Sequence, residues 1–265
     1  MTKPLPLSDF RARRHVLEAH EYATGGEEIP PTDLIDEETW KGITHLPDDV
    51  AVRISNHYGT RLELLYSLWG DWIASTGDPI NSDNLFSGML DAADCFQCAT
   101  YNLLHGYYRS ALADLRSALE LVTIGAYGNL KPDDPGYMRW KAGNADLAFP
   151  SCRKRLHNVV SARPFVWFVK ADAWPEQLYY DLCRYTHSRP DASDGALWES
   201  NGPVYNGFAI GLTFRMSLCV YAACYLLAKI GRTSLIVPSD SMIVFELDWL
   251  PGHAETARAF KQLFV

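Results

Sequence analysis

NLFSGMLDAADCFQCATYNLLHGYYRSALADLRSALELVTIGAY, residues Asn84–Tyr127, is the longest helical pattern in the chain, and its reading decides the fold. Advancing 100° per residue from Asp94 places Phe96, Leu103, Leu104, Tyr107, Ala111, Leu115, Ala118, Leu121 and Val122 in one broad apolar arc. Asp94, Cys98, His105, Arg109 and Arg116 gather on another side, interleaved with Leu112 and Leu119. Ser110, Ala113 and Ser117 form a third strip of small residues. A helix with so little purely polar surface is expected at the centre of a domain, with neighbours on several sides.

A second apolar stretch, GFAIGLTFRMSLCVYAACYLLA (Gly207–Ala228), is long enough to cross a bilayer. Arg215 sits near its middle, where a charge costs roughly 2.5–3.5 kcal/mol in lipid, and no second span accompanies it. The favoured reading is a buried core helix. A single-span membrane-associated protein is the alternative.

Around these two helices the other segments fall into place. Ser8–Asp9 can cap a short helix through Tyr22, ended by Gly25–Gly26. Residues 26–49, rich in Glu, Asp and Pro, read mostly as loop. Asp48–Asp49 then start a helix to about Thr76, broken by Gly77-Asp78-Pro79. One or two short helices occupy 137–173, and a further helix runs from Pro175 to before Pro190. Leu235–Val237 and Met242–Leu247 are β-rich on either side of Pro-Ser-Asp-Ser and predict a small hairpin. A last helix covers about Glu255–Leu263. The fold class is mainly α: an N-terminal arm and acidic loop (1–49), a helical bundle (50–231), and a hairpin-and-helix appendage packed on it (232–265).

The 265 residues carry 24 Lys+Arg against 32 Asp+Glu, a net charge of −8, with 48% apolar content. That excludes a generally basic nucleic-acid binder and a disordered chain. No apolar leader is visible at the start, and the six cysteines read as buried reduced thiols, so a cytoplasmic location is expected. Cys95-x-x-Cys98 has redox spacing but lies mid-helix without a preceding strand. There is no His-Glu-x-x-His, P-loop, Gly-x-Gly-x-x-Gly or Gly-x-Ser-x-Gly. No cofactor and no metal are expected. Asp91 and Asp94 lack Glu-x-x-His partners, and Glu246-x-Asp248 lacks a neighbouring lysine.

Two helices hold side chains with chemical potential. On the first, Arg116 and Glu120 are spaced i, i+4 and can pair, with Arg109 two turns earlier. Their alternatives are a structural ion pair or an arginine placed for phosphate or carboxylate. On the second, Tyr180, Arg184 and His187 share one face, opposite Leu178, Leu182 and Tyr185. His187 sits in the last turn, where the helix dipole favours an imidazolium. The run Arg153-Lys154-Arg155, with His157 and Arg163, is the best local footprint for RNA. The Trp198–Tyr205 loop mixes aromatics and amides and is a candidate lid over His187.

Arg116-Ser-Ala-Leu-Glu120 on the long helix and YDLCRYTHS (180–188) on a later one resemble the HEPN-like helical superfamily, which includes abortive-infection proteins of bacteria. The likeness spans about residues 85–230. It implies a helical bundle, assembly as dimers and a setting in bacterial stress or phage defence. Active members are metal-independent ribonucleases with an Arg-x4–6-His pair. Here Arg184 to His187 is Arg-x2-His, while Arg14-x5-His20 and Arg13-x6-His20 fall on the N-terminal arm. The expected function is therefore a binding or assembly protein, with a homo-oligomer or protein partner. The alternative is a ribonuclease with His187 as acid/base and Arg184 and Arg116 on the phosphate.

Overall fold

The computed structural model describes residues 37–77, 83–162, 166–186, 202–250 and 253–264. The helices are α1 (Glu37–Thr76), α2 (Asn84–Leu104), α3 (Tyr108–Leu130), α4 (Pro135–Lys141), α5 (Phe149–Val159), α6 (Trp174–Thr186), α7 (Gly207–Gly231) and α8 (His253–Phe264). Short 3₁₀ turns lie at Val166–Val169 and Ser239–Phe245. No strand occurs among the described residues. The chain divides into two compact units, Met1–Ile43 and Thr44–Val265. Of the first, the described part is the opening of α1, where Lys41 pairs with Glu37 one turn away. Apart from that helix start, all that follows concerns the second.

The long pattern at 84–127 is two helices, not one. His105 ends α2, and Gly106 turns the chain at φ +79°, a region that costs a glycine little. A Cβ at Gly106 would lie 2.7 Å from the Val204 backbone nitrogen, so the turn needs glycine for space as well. Asn102 Nδ2 donates to Asp114 Oδ2 across the turn at 2.8 Å. The expected grouping of Asp94, Cys98 and His105 with Arg109 and Arg116 therefore mixes two helices. A helical wheel carries no information past a residue in the left-handed region.

Folded back, α2 and α3 meet through small residues. A Cβ on Gly88 would lie 2.7 Å from the Leu121 carbonyl oxygen, and one on Gly125 would touch the Leu85 backbone. On its other side α3 meets α7, where a Cβ on Gly231 would lie 2.7 Å from Ala126 Cα. Helix α3 also packs on α5 and α6, so the central role expected for this segment belongs to its second half.

Helix α7 is the other core element: from Ser217 to Ala228 every residue is buried. Its most apolar window is 72% buried inside the protein, in keeping with the core-helix reading, and Arg215 lies on its exposed side near the N-terminal half. Phe96 of α2 stacks on Tyr221 of α7 at 3.9 Å between ring centroids. Helix α1 runs antiparallel to α2 and stands off on two indoles. Trp72 Nε1 donates to the Met89 carbonyl at 2.8 Å and Trp69 Nε1 to that of Ala93 at 3.1 Å. The buried Trp72 and the half-buried Trp69 thereby each satisfy their one donor.

Two further expectations change. Residues 37–49 are helical rather than loop, with Pro47 inside α1 and a kink at Tyr58 (φ −131°, ψ 20°). Acidic side chains in the first turn, Glu37 and Glu38, suit a helix start, and this signal was masked by the Pro-rich composition. The C-terminal hairpin is absent. Leu235 and Val237 are buried around exposed Ile236, but the following segment winds into a 3₁₀ turn that buries Ser241, Val244 and Phe245 together. An isolated two-stranded hairpin is marginal in water, and a three-residue period buries more against α7 and α8. Phe245 stacks on Phe260 at 4.3 Å, and Ser241 Oγ donates to Asp71 Oδ2 at 2.6 Å.

One ion pair ties three helix ends. Arg232, just past α7, donates to both oxygens of Asp83 at 2.6 and 2.9 Å and to the Thr76 carbonyl at 2.9 Å. Asp83 also caps α2 through the Phe86 N–H at 2.9 Å. Partial burial raises the Asp83 pKa, but Arg232 and the cap outweigh it and hold the carboxyl below its ordinary 3.8.

Two outcomes follow from these contacts. Gly88→Ala lowers stability by about 1–3 kcal/mol in a urea melt, since backbone must move. Gly70→Ala, where a Cβ meets nothing within 4 Å, raises it by up to about 1 kcal/mol. For Asp83 a depressed folded pKa means that its stabilisation is whole above the ordinary carboxylate range and drains as pH falls through the folded value. Arg232→Met therefore lowers Tm at pH 7, and the gap to wild type narrows on acidification, as calorimetry across pH will read.

Candidate functional site

The helices carrying the motif residues do pack together. Helix α6 lies along α3 with Leu178, Tyr179 and Leu182 buried. Arg109 Nε donates to the Tyr185 carbonyl at 3.3 Å, and the Tyr179 hydroxyl donates to Glu120 Oε1 at 2.7 Å. Arg116 Nε lies 3.9 Å from Glu120 Oε2, beyond hydrogen-bond range, and is buried without an acceptor among the described residues. Phe149 stacks on Tyr179 at 4.3 Å. Burial, then the Glu120 carboxylate, pushes the Tyr179 hydroxyl far above its usual range, so it stays a neutral donor.

The two arginines of the expected composite site serve different acids. Arg116 turns to Glu120 in the seam, whereas Arg184 is 60% exposed and lies 3.7 Å from Asp181 on its own helix. Tyr180 faces outward and touches only the edge of Tyr179 among the ring contacts. The residue that enters the seam is Tyr179, one position away, on the face with Leu178 and Leu182. His187 and Trp198 lie outside the described residues, as do Arg13, Arg14, His20 and Arg163. Glu120 borders a shallow cleft of about 360 Å³ with Ser117, Trp140 and Asp146.

The basic run on α5 is largely consumed by the fold. Arg153 is buried. Its Nε donates to Glu176 Oε1 at 2.9 Å and its Nη1 to the Val169 carbonyl at 2.6 Å. The second Glu176 oxygen accepts from the Asp172 N–H at 2.7 Å. Arg155 Nη1 reaches Asp134 Oδ1 at 2.7 Å. Only Lys154 of the three is exposed and without an acid among these contacts. A run that reads as one positive face is split by the helix period, which turns Arg153 inward and Lys154 outward.

The cysteines are free thiols. Burial, with help from Asp114, raises Cys95 to about 12, and burial alone is the main cause that takes Cys152 to the same range. Such thiols are poor nucleophiles at neutral pH. Burial and the neighbouring Asp94 also push the Asp91 carboxyl up. No group of three His, Cys, Asp or Glu side chains with metal-site geometry occurs among the described residues.

Two features went unseen in the sequence. At the kink of α1, His57 Nδ1 meets the Tyr205 hydroxyl at 2.6 Å, and Arg61 lies over the Tyr58 and Phe214 rings. These contacts fasten α1 to α7 and its lead-in, and Tyr108 at the start of α3 holds the same lead-in, its hydroxyl donating to the Val204 carbonyl at 2.5 Å. The second feature is a groove of about 190 Å³ between α1 and α2, lined by Tyr66, Trp69, Gln97, Thr100, Tyr101 and Leu104. Tyr66 is 68% and Tyr101 61% exposed, and exposed Ile73 and Leu90 extend the same faces one or more turns on. The signal was present as spacings: Tyr66, Trp69 and Ile73 at i, i+3, i+7, and Leu90, Gln97, Tyr101 and Leu104 along α2. Periodicity alone does not say which of several apolar stripes is covered.

No family model, curated protein or solved structure matches the chain.

The buried pair gives a direct check on how the basic run is used. Arg153→Met strands a buried Glu176 and costs about 3–5 kcal/mol in chemical denaturation. Adding Glu176→Leu recovers most of that loss, and Lys154→Ala changes stability by less than about 0.5 kcal/mol.

Proposed function

We propose that this chain is a helical binding and assembly protein whose α1/α2 groove docks a cationic protein segment anchored by apolar side chains. The observation that carries the reading is the exposure of Tyr66 and Tyr101 over a mostly apolar groove whose two helices carry exposed acids nearby. Large aromatic groups left in water at one spot mark recognition surfaces, and tyrosine is favoured there because it loses little side-chain entropy. Asp94 lies one turn before Gln97 and one turn after Leu90, with exposed Asp91 beside it, and Glu63 flanks Tyr66 on α1. Helix α2 holds no Lys or Arg at all.

That charge selects the occupant. A second copy would set acid against acid, and RNA would meet the same repulsion, whereas a Lys- or Arg-bearing segment gains on both counts. The segments that resemble the HEPN-like superfamily, 116–120 and 180–188, begin on α3 and α6, which pack together, and this supports a bundle of that kind. The defence setting and the cytoplasmic location belong to the same reading. The ribonuclease alternative has less support, since Arg116 and Arg184 answer different carboxylates.

The test uses the full chain and two labelled amphipathic helical peptides, one of Leu, Phe and Lys, the other with Glu in place of Lys. Fluorescence anisotropy is expected to show binding of the basic peptide that weakens as salt is raised. Tyr66→Ala with Tyr101→Ala should weaken it at least tenfold. Equal binding of the acidic peptide, or no effect of the double variant, overturns the reading. So does a wild-type dimer in sedimentation that the same variant dissolves, which would assign the groove to a second copy.

A further inference from the structure

A separate cleft of about 460 Å³ opens between the Val166–Val169 turn, the start of α6 and α8. Trp167 and Trp174 wall it, and Lys170, Asp172, Gln177 and Arg258 line it. Its size falls within the range of small-molecule sites, roughly 300–1,000 Å³. We propose that this cleft binds an aromatic anion, a planar ring carrying a phosphate or carboxylate, with the ring against Trp167 and the anion on Lys170 and Arg258.

Arg153, Arg155, Arg184 and Arg232 each have an acid within 4 Å. Lys170 and Arg258 are brought to one cleft from segments far apart in the chain, and among the described residues neither has such a partner. Asp172 is the acid of the lining, and it leaves the pair of cations in excess by one charge. A net positive charge among the described lining residues raises the local concentration of anions in the cleft.

Trp174 is 7% exposed, and its Nε1 has no hydrogen-bond partner among the described residues. A buried donor left unmet costs stability, and such groups call for an explanation. Beside it, Asp172 holds φ +61° without being a glycine. Glu176 secures that strained turn by accepting the Asp172 N–H, and Gln177 Nε2 donates to the Asp172 carbonyl at 2.9 Å. An orphan donor and a strained residue at one cleft are the marks of a site shaped for something other than its own packing. The half-buried Trp167 supplies the stacking surface for a planar ring, the unmet Trp174 N–H a donor to it, and a guanidinium paired donors for phosphate or carboxylate.

Calorimetric titration of the full chain will use AMP, adenosine, indole-3-acetate and inorganic phosphate. AMP or indole-3-acetate is expected to bind at least tenfold more tightly than adenosine or phosphate alone, because ring and anion are both needed. The stronger of the two names the anion. Lys170→Ala with Arg258→Ala, both exposed positions, should weaken that binding at least tenfold while circular dichroism is unchanged. Trp167→Ala should weaken it as well. Adenosine binding as tightly as AMP, indifference to the double variant, or no binding of either ring-bearing anion overturns the proposal.

Discussion

Three helices approach more closely than side chains normally permit, and the rest of the molecule is arranged around that contact. Gly88 and Gly125 let α2 lie on α3, and Gly231 lets α7 lie on Ala126 of α3. At each point a Cβ would strike backbone, which has no rotamer to yield. Closeness there sets the distances elsewhere. Helix α1 is kept off this trio by Trp69 and Trp72, which fill the wider gap and spend their N–H groups on α2 carbonyls. A tight trio with a fourth helix standing off leaves a furrow along the α1/α2 seam, and the exposed tyrosines sit in it.

Polar side chains then lock the frame. Arg232 joins the ends of α1, α2 and α7 through Thr76 and Asp83. Arg153 and Glu176 join α5 to α6 and hold the Asp172 turn at the same time. Glu120 takes the Tyr179 hydroxyl between α3 and α6. Most of the arginines that looked free for chemistry are thus part of the framework. The two concave surfaces differ in charge: exposed Glu63, Asp91 and Asp94 lie on the helices of the α1/α2 groove, whereas the cleft at Trp167 and Trp174 holds Lys170 and Arg258 against Asp172. A net charge of −8 averages over both and describes neither.

Much of the frame was legible. The apolar periodicity of 84–127 and 204–230 announced the core helices, and Asp-Pro, Gly-Asp-Pro and Pro-rich stretches announced breaks. The errors have separate causes. His105-Gly106 reads as an ordinary interruption within an apolar pattern, yet its left-handed turn reverses the chain and cancels the face counted across it. Met242–Leu247 has strand composition, but a strand needs a neighbour to bond, and α7 offers instead a surface that a 3₁₀ turn covers. For the site, Arg116 and Glu120 were readable as an i, i+4 pair, while Tyr179, the third member, belongs to a helix far along the chain.

By itself the sequence determined much of what is local: most of the helical segments, which are apolar enough to be central, and that the Arg116/Glu120 and Tyr180/Arg184 sets lie on α3 and α6. Those follow from period, composition and spacing, which act over one or two turns. The tertiary structure decided which apolar stripe is covered and which stays open, which arginine meets an acid, and where two indoles and two cations converge. Such facts depend on contacts between residues distant in the chain, and no local pattern encodes the partner a side chain will meet once the helices have packed.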